Sequence, residues 1–154
     1  MSSDILKKKE KAEGFLESIL PFFSEECKAE ITVDNDNLSA EITGGDLNLF
    51  TERDGRVLEA LRVITASVIN DKNSDYVKIN IDADDFRQKK DERIRELAVS
   101  TAEKVKAEGE SITLPDMNSY DRRIAHMTLQ EDPLIRTESE GEEPHRHLVV
   151  FPAR

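Results

Sequence analysis

With 154 residues, 37% hydrophobic and 36% charged, the chain has the composition of a folded, soluble protein and room for one ordinary domain or two small ones; a disordered tail is excluded. A formal charge of −11 opposes unspecific attraction to nucleic acid or anionic membranes, so any polyanion site must be a small local patch. No window has the apolar length of a membrane span, the start MSSDILKKKEKAEG lacks an apolar signal core, and the lone Cys27 has no partner for an internal disulfide; the expectation is a soluble, unprocessed, cytoplasmic protein without membrane insertion.

Ile5, Ala12, Phe15, Leu16 and Ile19 recur at helical spacing, and Pro21 forbids continuation, which predicts a helix over residues 4–20. Ala29, Ile31 and Val33 then alternate with polar residues, NDN supplies a turn, and Leu38, Ala40 and Ile42 alternate again, as in a β-hairpin. Gly44 and Gly45 break this pattern ahead of DLNLFTERDG. The strongest helical stripe of the chain follows at Val57, Leu58, Leu61, Ile64, Thr65 and Val68, and is expected to be core rather than a ligand box. YVKINID alternates once more with Val77, Ile79 and Ile81 on one face, so the first half reads αββααβ or αββαβ.

Asp84 or Asp85 is placed to cap a long helix with the stripe Ile94, Leu97, Ala98, Thr101 and Val105 and a stop at Gly109. Its early part, FRQKKDERIRE, has too few apolar positions to bury a face and reads as a solvated bridge, which sets domains at 1–84 and 85–154. Beyond it come a short strand at Ile112 to Leu114, a helix YDRRIAHMTLQ, a strand through Ile135 and Thr137, the turn SEGEEP and a final strand in LVVF. The fold class is α+β: two small α/β sandwich-like domains joined by a long charged helix.

On the helix YDRRIAHMTLQ, Tyr120, Ile124 and Met127 share one face and are expected to pack, leaving Arg122, Arg123, His126 and Gln130 on an adjoining arc. Arginine offers a planar fork of donors to phosphate, and histidine stacks on a base or donates to a phosphate oxygen. The pair suits a nucleic-acid backbone better than catalysis, although a merely solvated polar face has the same pattern.

Taken with RRIAH, the stretch TESEGEEPHRHLVVF resembles the R-three-H domain, which takes its name from an Arg-x-x-x-His pair on a helix. The matching residues are Arg122 and His126, then Thr137, Ser139 and Gly141, then Arg146 before the apolar strand. With the αββααβ half before it, nearly the whole chain resembles the bacterial Jag family, also called SpoIIIJ-associated or KhpB-like proteins. The resemblance implies a KH type II-like domain followed by an R-three-H-like domain. It also implies a cytoplasmic RNA-binding protein, a post-transcriptional or cell-envelope and elongation regulator. The family's usual N-terminal domain and long linker are not expected here. Within the site, Arg122 is expected on phosphate, His126 on base or phosphate, Arg123 and Arg146 as flanking cations, and Ser139 as a hydrogen-bond donor from the turn. Expected partners are single-stranded RNA or single-stranded DNA and, for the KH-like half, a small single-KH protein or self-association.

In a KH domain a GxxG loop would lie between the short and the main helix, and here that place holds Glu52, Arg53, Asp54 and Gly55. Glycine lets the backbone approach a sugar-phosphate chain, whereas Glu52 and Asp54 add bulk and negative charge, so this degenerate loop is expected to be weakened or inactive. Arg53, Arg56 and Arg62 are either auxiliary contacts or partners of local carboxylates. The loop and the acidic excess support a rival reading, a protein-interaction adaptor whose nucleic-acid surfaces have decayed. Lys7, Lys8 and Lys9 read as a solubilising face with some attraction for RNA. His126, His145 and His147 lack the spacing of a zinc site, and no nucleophile elbow, Walker loop or dinucleotide fingerprint is present. No metal, cofactor or enzymatic activity is therefore expected.

Overall fold

The computed structural model describes residues 3–154 and divides between Phe86 and Arg87 into two compact units. In the first, α1 (Ser3–Ile19) runs into a 3-10 turn, Leu20–Phe22, which takes Pro21 near its start, where a missing N–H leaves no helical bond unmade. Strands β1 (Lys28–Asp34) and β2 (Asn37–Thr43) form an antiparallel hairpin closed by Asn35 and Asp36, both at positive φ, 46° and 62°. Two such residues make the turn whose twist matches that of paired strands. Helix α2 (Asn48–Ile69) is interrupted at residues 52–55, and β3 (Ile79–Ala83) returns parallel to β2 in the order β1-β2-β3. The parallel return needs a crossover, which α2 supplies, and the order is αββααβ.

Leu16, Leu20, Leu38, Ile42, Phe50, Ile69, Ile79 and Ile81 are fully buried between the sheet and the two helices. The expectation for the α2 stripe is corrected in part. Leu58, Leu61, Thr65 and Ile69 are buried, but Ile64 and Val68 are 47% and 42% exposed. The apolar residues span a wider arc of the helix than α1 and a three-stranded sheet can cover. Lys8 also departs from the expected solubilising face: it is buried, and its ammonium donates to the Asn70 side-chain oxygen at 3.2 Å and to the Asp75 carbonyl, with Asp4 at 3.5 Å. Asn70 in turn exchanges two hydrogen bonds with the Val77 backbone, each 2.9 Å, so this polar knot ties α1 to the segment leading into β3.

Asp84 and Asp85 both adopt positive φ in a turn ahead of α3 (Phe86–Glu108). The Asp84 N–H donates to Glu41 of β2, while burial, then the charges of Asp82 and Asp85, push the Glu41 pKa up. Folding thus favours protonated Glu41, a contribution present below the unfolded pKa and withdrawn as pH rises through the folded one. Glu41→Gln is expected to raise the unfolding temperature at pH 7 and to make no difference near pH 4; thermal unfolding at both values checks it.

In the second unit α3 buries Ile94, Ala98, Thr101, Ala102 and Val105, while Leu97 stays at the surface and most side chains before Ile94 are exposed. Strands β4 (Ile112–Thr113), β5 (Ile135–Glu140) and β6 (His147–Pro152) form an antiparallel sheet in the order β4-β6-β5. Helix α4 (Ser119–Leu129) packs Ala125 and Leu129 into a core shared with Leu114, Ile135, Leu148 and Val150. No helix among the described residues is long and apolar enough to cross a membrane.

Candidate nucleic-acid interface

The rotation of α4 about its axis decides which side chains are available. Its N-cap, Asn118, accepts the Asp121 N–H at 2.9 Å, and Asp121, favoured in the first turn by the helix dipole, pairs with Lys90 of α3 at 3.0 Å. This turns Asp121, Arg122, Ala125 and Leu129 inward and leaves Tyr120 and Met127 58% and 49% exposed. Of the face expected to pack, Tyr120 and Met127 therefore point outward while Ile124 is half-buried against the core, and Arg122, expected on the free arc, is turned inward. Its guanidinium donates to the Met117 carbonyl and, at 2.6 Å, to the Glu143 carboxylate, with only a tenth of the side chain exposed. Ala125 and Leu129 supply the apolar seam, and the aliphatic stem of Arg122 extends it.

His126 stays at the surface, its Nδ1 2.6 Å from Thr137 Oγ1 on β5. Arg123, three residues before it, is exposed and makes no hydrogen bond or ion pair among the described residues. Side chains alternate along a strand, so Thr137 and Ser139 share the α4 side of the sheet. Arg146, just before β6, donates from Nε to Ser139 Oγ at 2.8 Å. Gly141, at φ +86°, closes the turn that brings Arg146 back beside Ser139. Arg123, His126, Ser139 and Arg146 thus gather on one side of the unit, whereas Arg136 lies on the opposite face over the Phe151 ring, 4.4 Å from its centroid.

The charge balance favours this unit as the home of an anion site. Residues 87–154 carry twelve basic and fourteen acidic side chains, against ten and nineteen in residues 1–86, so nearly all of the acidic excess belongs to the first unit. His145 and His147 both approach Asp116, at 3.0 and 3.7 Å, where the chain enters β6. No group of three or more His, Cys, Asp or Glu among the described residues is arranged to hold a metal.

In the first unit, the interruption of α2 places Arg53, Asp54 and Gly55 in the left-handed region, φ 51°, 61° and 72°, with Glu52 extended before them. Glu52, Arg53 and Asp54 are exposed and Gly55 is buried. Arg62 is held by both oxygens of Glu59, at 2.9 and 2.6 Å, the local pairing that was one of its two expected fates.

Two residues of the second site escaped sequence reasoning as contacts. Thr137 stands in the motif, and its place two residues before Ser139 put it on the same strand face. Glu143 carries no signal, being one carboxylate in the acidic run ESEGEE.

The family model of the R-three-H domain matches residues 92–152. A Clostridium symbiosum protein named RNA-binding protein KhpB is 33% identical over 145 residues, which is 92% of this chain and 64% of that protein. The Bacillus subtilis protein of the same name is 33% identical over 127 residues, 80% of this chain and 61% of its own length. The same name belongs to a Lactiplantibacillus plantarum relative, 33% identical over 102 residues, 66% of this chain and 32% of that protein. The chain spans less than two thirds of the length of these curated relatives.

Proposed function

Because the chain belongs to the KhpB family and carries an R-three-H domain in its second unit, we propose that it binds single-stranded RNA on the surface formed by α4 and the β5–β6 hairpin. The observation that carries this reading is the juxtaposition of Arg123 and His126 with Arg146, the latter two steadied by Thr137 and Ser139. Arg123 and Arg146 offer guanidinium forks to successive phosphates. His126, with one ring nitrogen engaged by Thr137, presents the other nitrogen and its ring face for a phosphate oxygen or an unpaired base. The Ser139 hydroxyl supplies a further polar contact. Arg122 acts through position, holding the Met117 carbonyl and Glu143 so that the turn carrying Arg146 keeps its place. The site gathers guanidinium, imidazole and hydroxyl groups suited to a phosphate backbone and unpaired bases, so the reading is of a binding protein, at work in the cytoplasm, and not of an enzyme.

Fluorescence anisotropy with labelled single-stranded RNA and DNA at two salt concentrations tests this. Wild type is expected to bind RNA at low salt and to weaken steeply as salt rises, and the Arg123→Ala, His126→Ala double variant to bind about tenfold or more weakly with unchanged stability. Absence of wild-type binding at low salt overturns the reading.

A second reading concerns the first unit alone. Val63 and Tyr76 are exposed at a hollow also lined by Arg62 and Asn70, and Ile64 and Val68 are exposed on the same helix, α2. With Glu52 and Asp54 opposing phosphate in the loop, this acidic unit suits a protein partner, a small single-KH protein or a second copy, better than nucleic acid.

A further inference from the structure

Resting on the RNA-binding reading above, we infer that the RNA path continues from His126 along α4 onto the first turns of α3, where Tyr120 is a base-stacking platform and Arg87 and Arg95 meet the phosphates. Tyr120 is 58% exposed in a chain with only two tyrosines and no tryptophan. Its hydroxyl donates to Asp91 of α3 at 3.0 Å. The ring is thereby anchored at its polar edge while its face stays open, which lowers the ordering cost of stacking a base on it.

Arg87 and Arg95 lie four residues either side of Asp91 and so share its helix face, and both are exposed. The phenol is bonded to Asp91 between them, and their charges oppose the rise that this bond, burial and the Asp91 charge cause in the phenol pKa. Asp91 is the carboxylate on that face, and with the phenol bonded to it and a guanidinium on each side, the local balance is positive. Glu96 falls outside this arc of α3, and Glu92, at its margin three residues before Arg95, accepts from the Gln88 side chain at 3.4 Å. The two helices are joined here by the pair of Lys90 with Asp121, so the platform has a fixed place against α3. Arg123 stands three residues after Tyr120 and three before His126, and the Cα atoms of Tyr120 and His126 are about 9 Å apart along the helix axis. Cation, aromatic and cation then alternate over one continuous surface, the arrangement by which single strands are held without base-specific contacts.

The experiment is fluorescence anisotropy with labelled oligouridine of about 4 and about 12 nucleotides, lengths within the range single-strand sites cover. The proteins are wild type, Tyr120→Ala, Tyr120→Phe and the Arg87→Ala, Arg95→Ala double variant, with thermal unfolding as the check on folding. Tyr120→Ala is expected to bind the long oligomer about tenfold more weakly and the short one as wild type does, while Tyr120→Phe, which keeps the ring but loses its anchor to Asp91, weakens binding of the long oligomer by no more than about threefold and leaves the short one unchanged. The arginine double variant is expected to lower the log–log salt slope for the long oligomer by about 1.4, the value for two lost phosphate contacts on a single strand. An equal loss at both lengths, no loss at either, or a Tyr120→Phe defect equal to that of Tyr120→Ala overturns the extended path and leaves the α4 and hairpin site standing. Failure of wild type to bind either oligomer overturns both.

Discussion

Gly55→Ala is expected to reduce the folding free energy by about 2–4 kcal/mol, among the largest effects of a single methyl group anywhere in this chain. Gly55 is the third successive residue in the left-handed region, at φ +72°, where a Cβ costs about 1 kcal/mol. A Cβ built there would stand 2.4 Å from Phe86 Cε1 and 2.9 Å from Cζ. Phe86 is itself 9% exposed and part of the first core, so its ring cannot yield without opening that core, at a further cost of about 1–3 kcal/mol. Urea unfolding measures the sum, and a Phe86→Leu background separates its parts. With the ring gone, the penalty at position 55 should fall towards the backbone component alone, and an undiminished penalty would mean that the contact with Phe86 is not its source. The packing also gives a physical reason for the uneven state of the loop: Gly55 is held by the core whether or not the loop meets phosphate, whereas Glu52 is exposed and unconstrained by packing.

The order of elements was legible wherever a local rule fixed it. Pro21 stops α1, the pair Asn35 and Asp36 takes the left-handed turn its short polar side chains tolerate, and Ile79 and Ile81 alternate into the core. Less legible was which part of a broad apolar arc is covered. Ile64 and Val68 have the same spacing as Leu61 and Thr65, and only the width of the opposing surface separates them. The short α4 presents the same ambiguity more sharply: Tyr120, Ile124 and Met127 form as plausible a stripe as Ala125 and Leu129, and the choice is made by the Asn118 cap and the tie of Asp121 to Lys90, thirty-one residues earlier. Contacts between distant segments, such as Lys8 with Asn70 or His126 with Thr137, have no periodicity to announce them. The R-three-H motif identified the residues around the candidate site, but it did not tell an outward arginine from an inward one.

That distinction gives Arg122 and Arg123 different expected phenotypes. Arg122→Ala removes a buried stem and leaves the Met117 carbonyl and the Glu143 carboxylate without their donor, a loss of about 2–3 kcal/mol, most of it from the orphaned carbonyl and the packing because Glu143 is more than half exposed. Its RNA affinity should fall indirectly, as the turn before Arg146 loosens. Arg123→Ala should leave stability within about 0.5 kcal/mol of wild type, as an exposed change does, and still weaken RNA binding with a smaller salt slope. Glu143→Gln moves affinity the other way: it withdraws a negative charge from the edge of the site while keeping an acceptor for Arg122, so binding at low salt should strengthen. Thermal unfolding and anisotropy on the three variants read these signs together. Were Arg122→Ala to unfold like wild type and yet lose RNA, the guanidinium would be meeting the ligand directly, and the inward pairing with Glu143 would have to open when RNA binds.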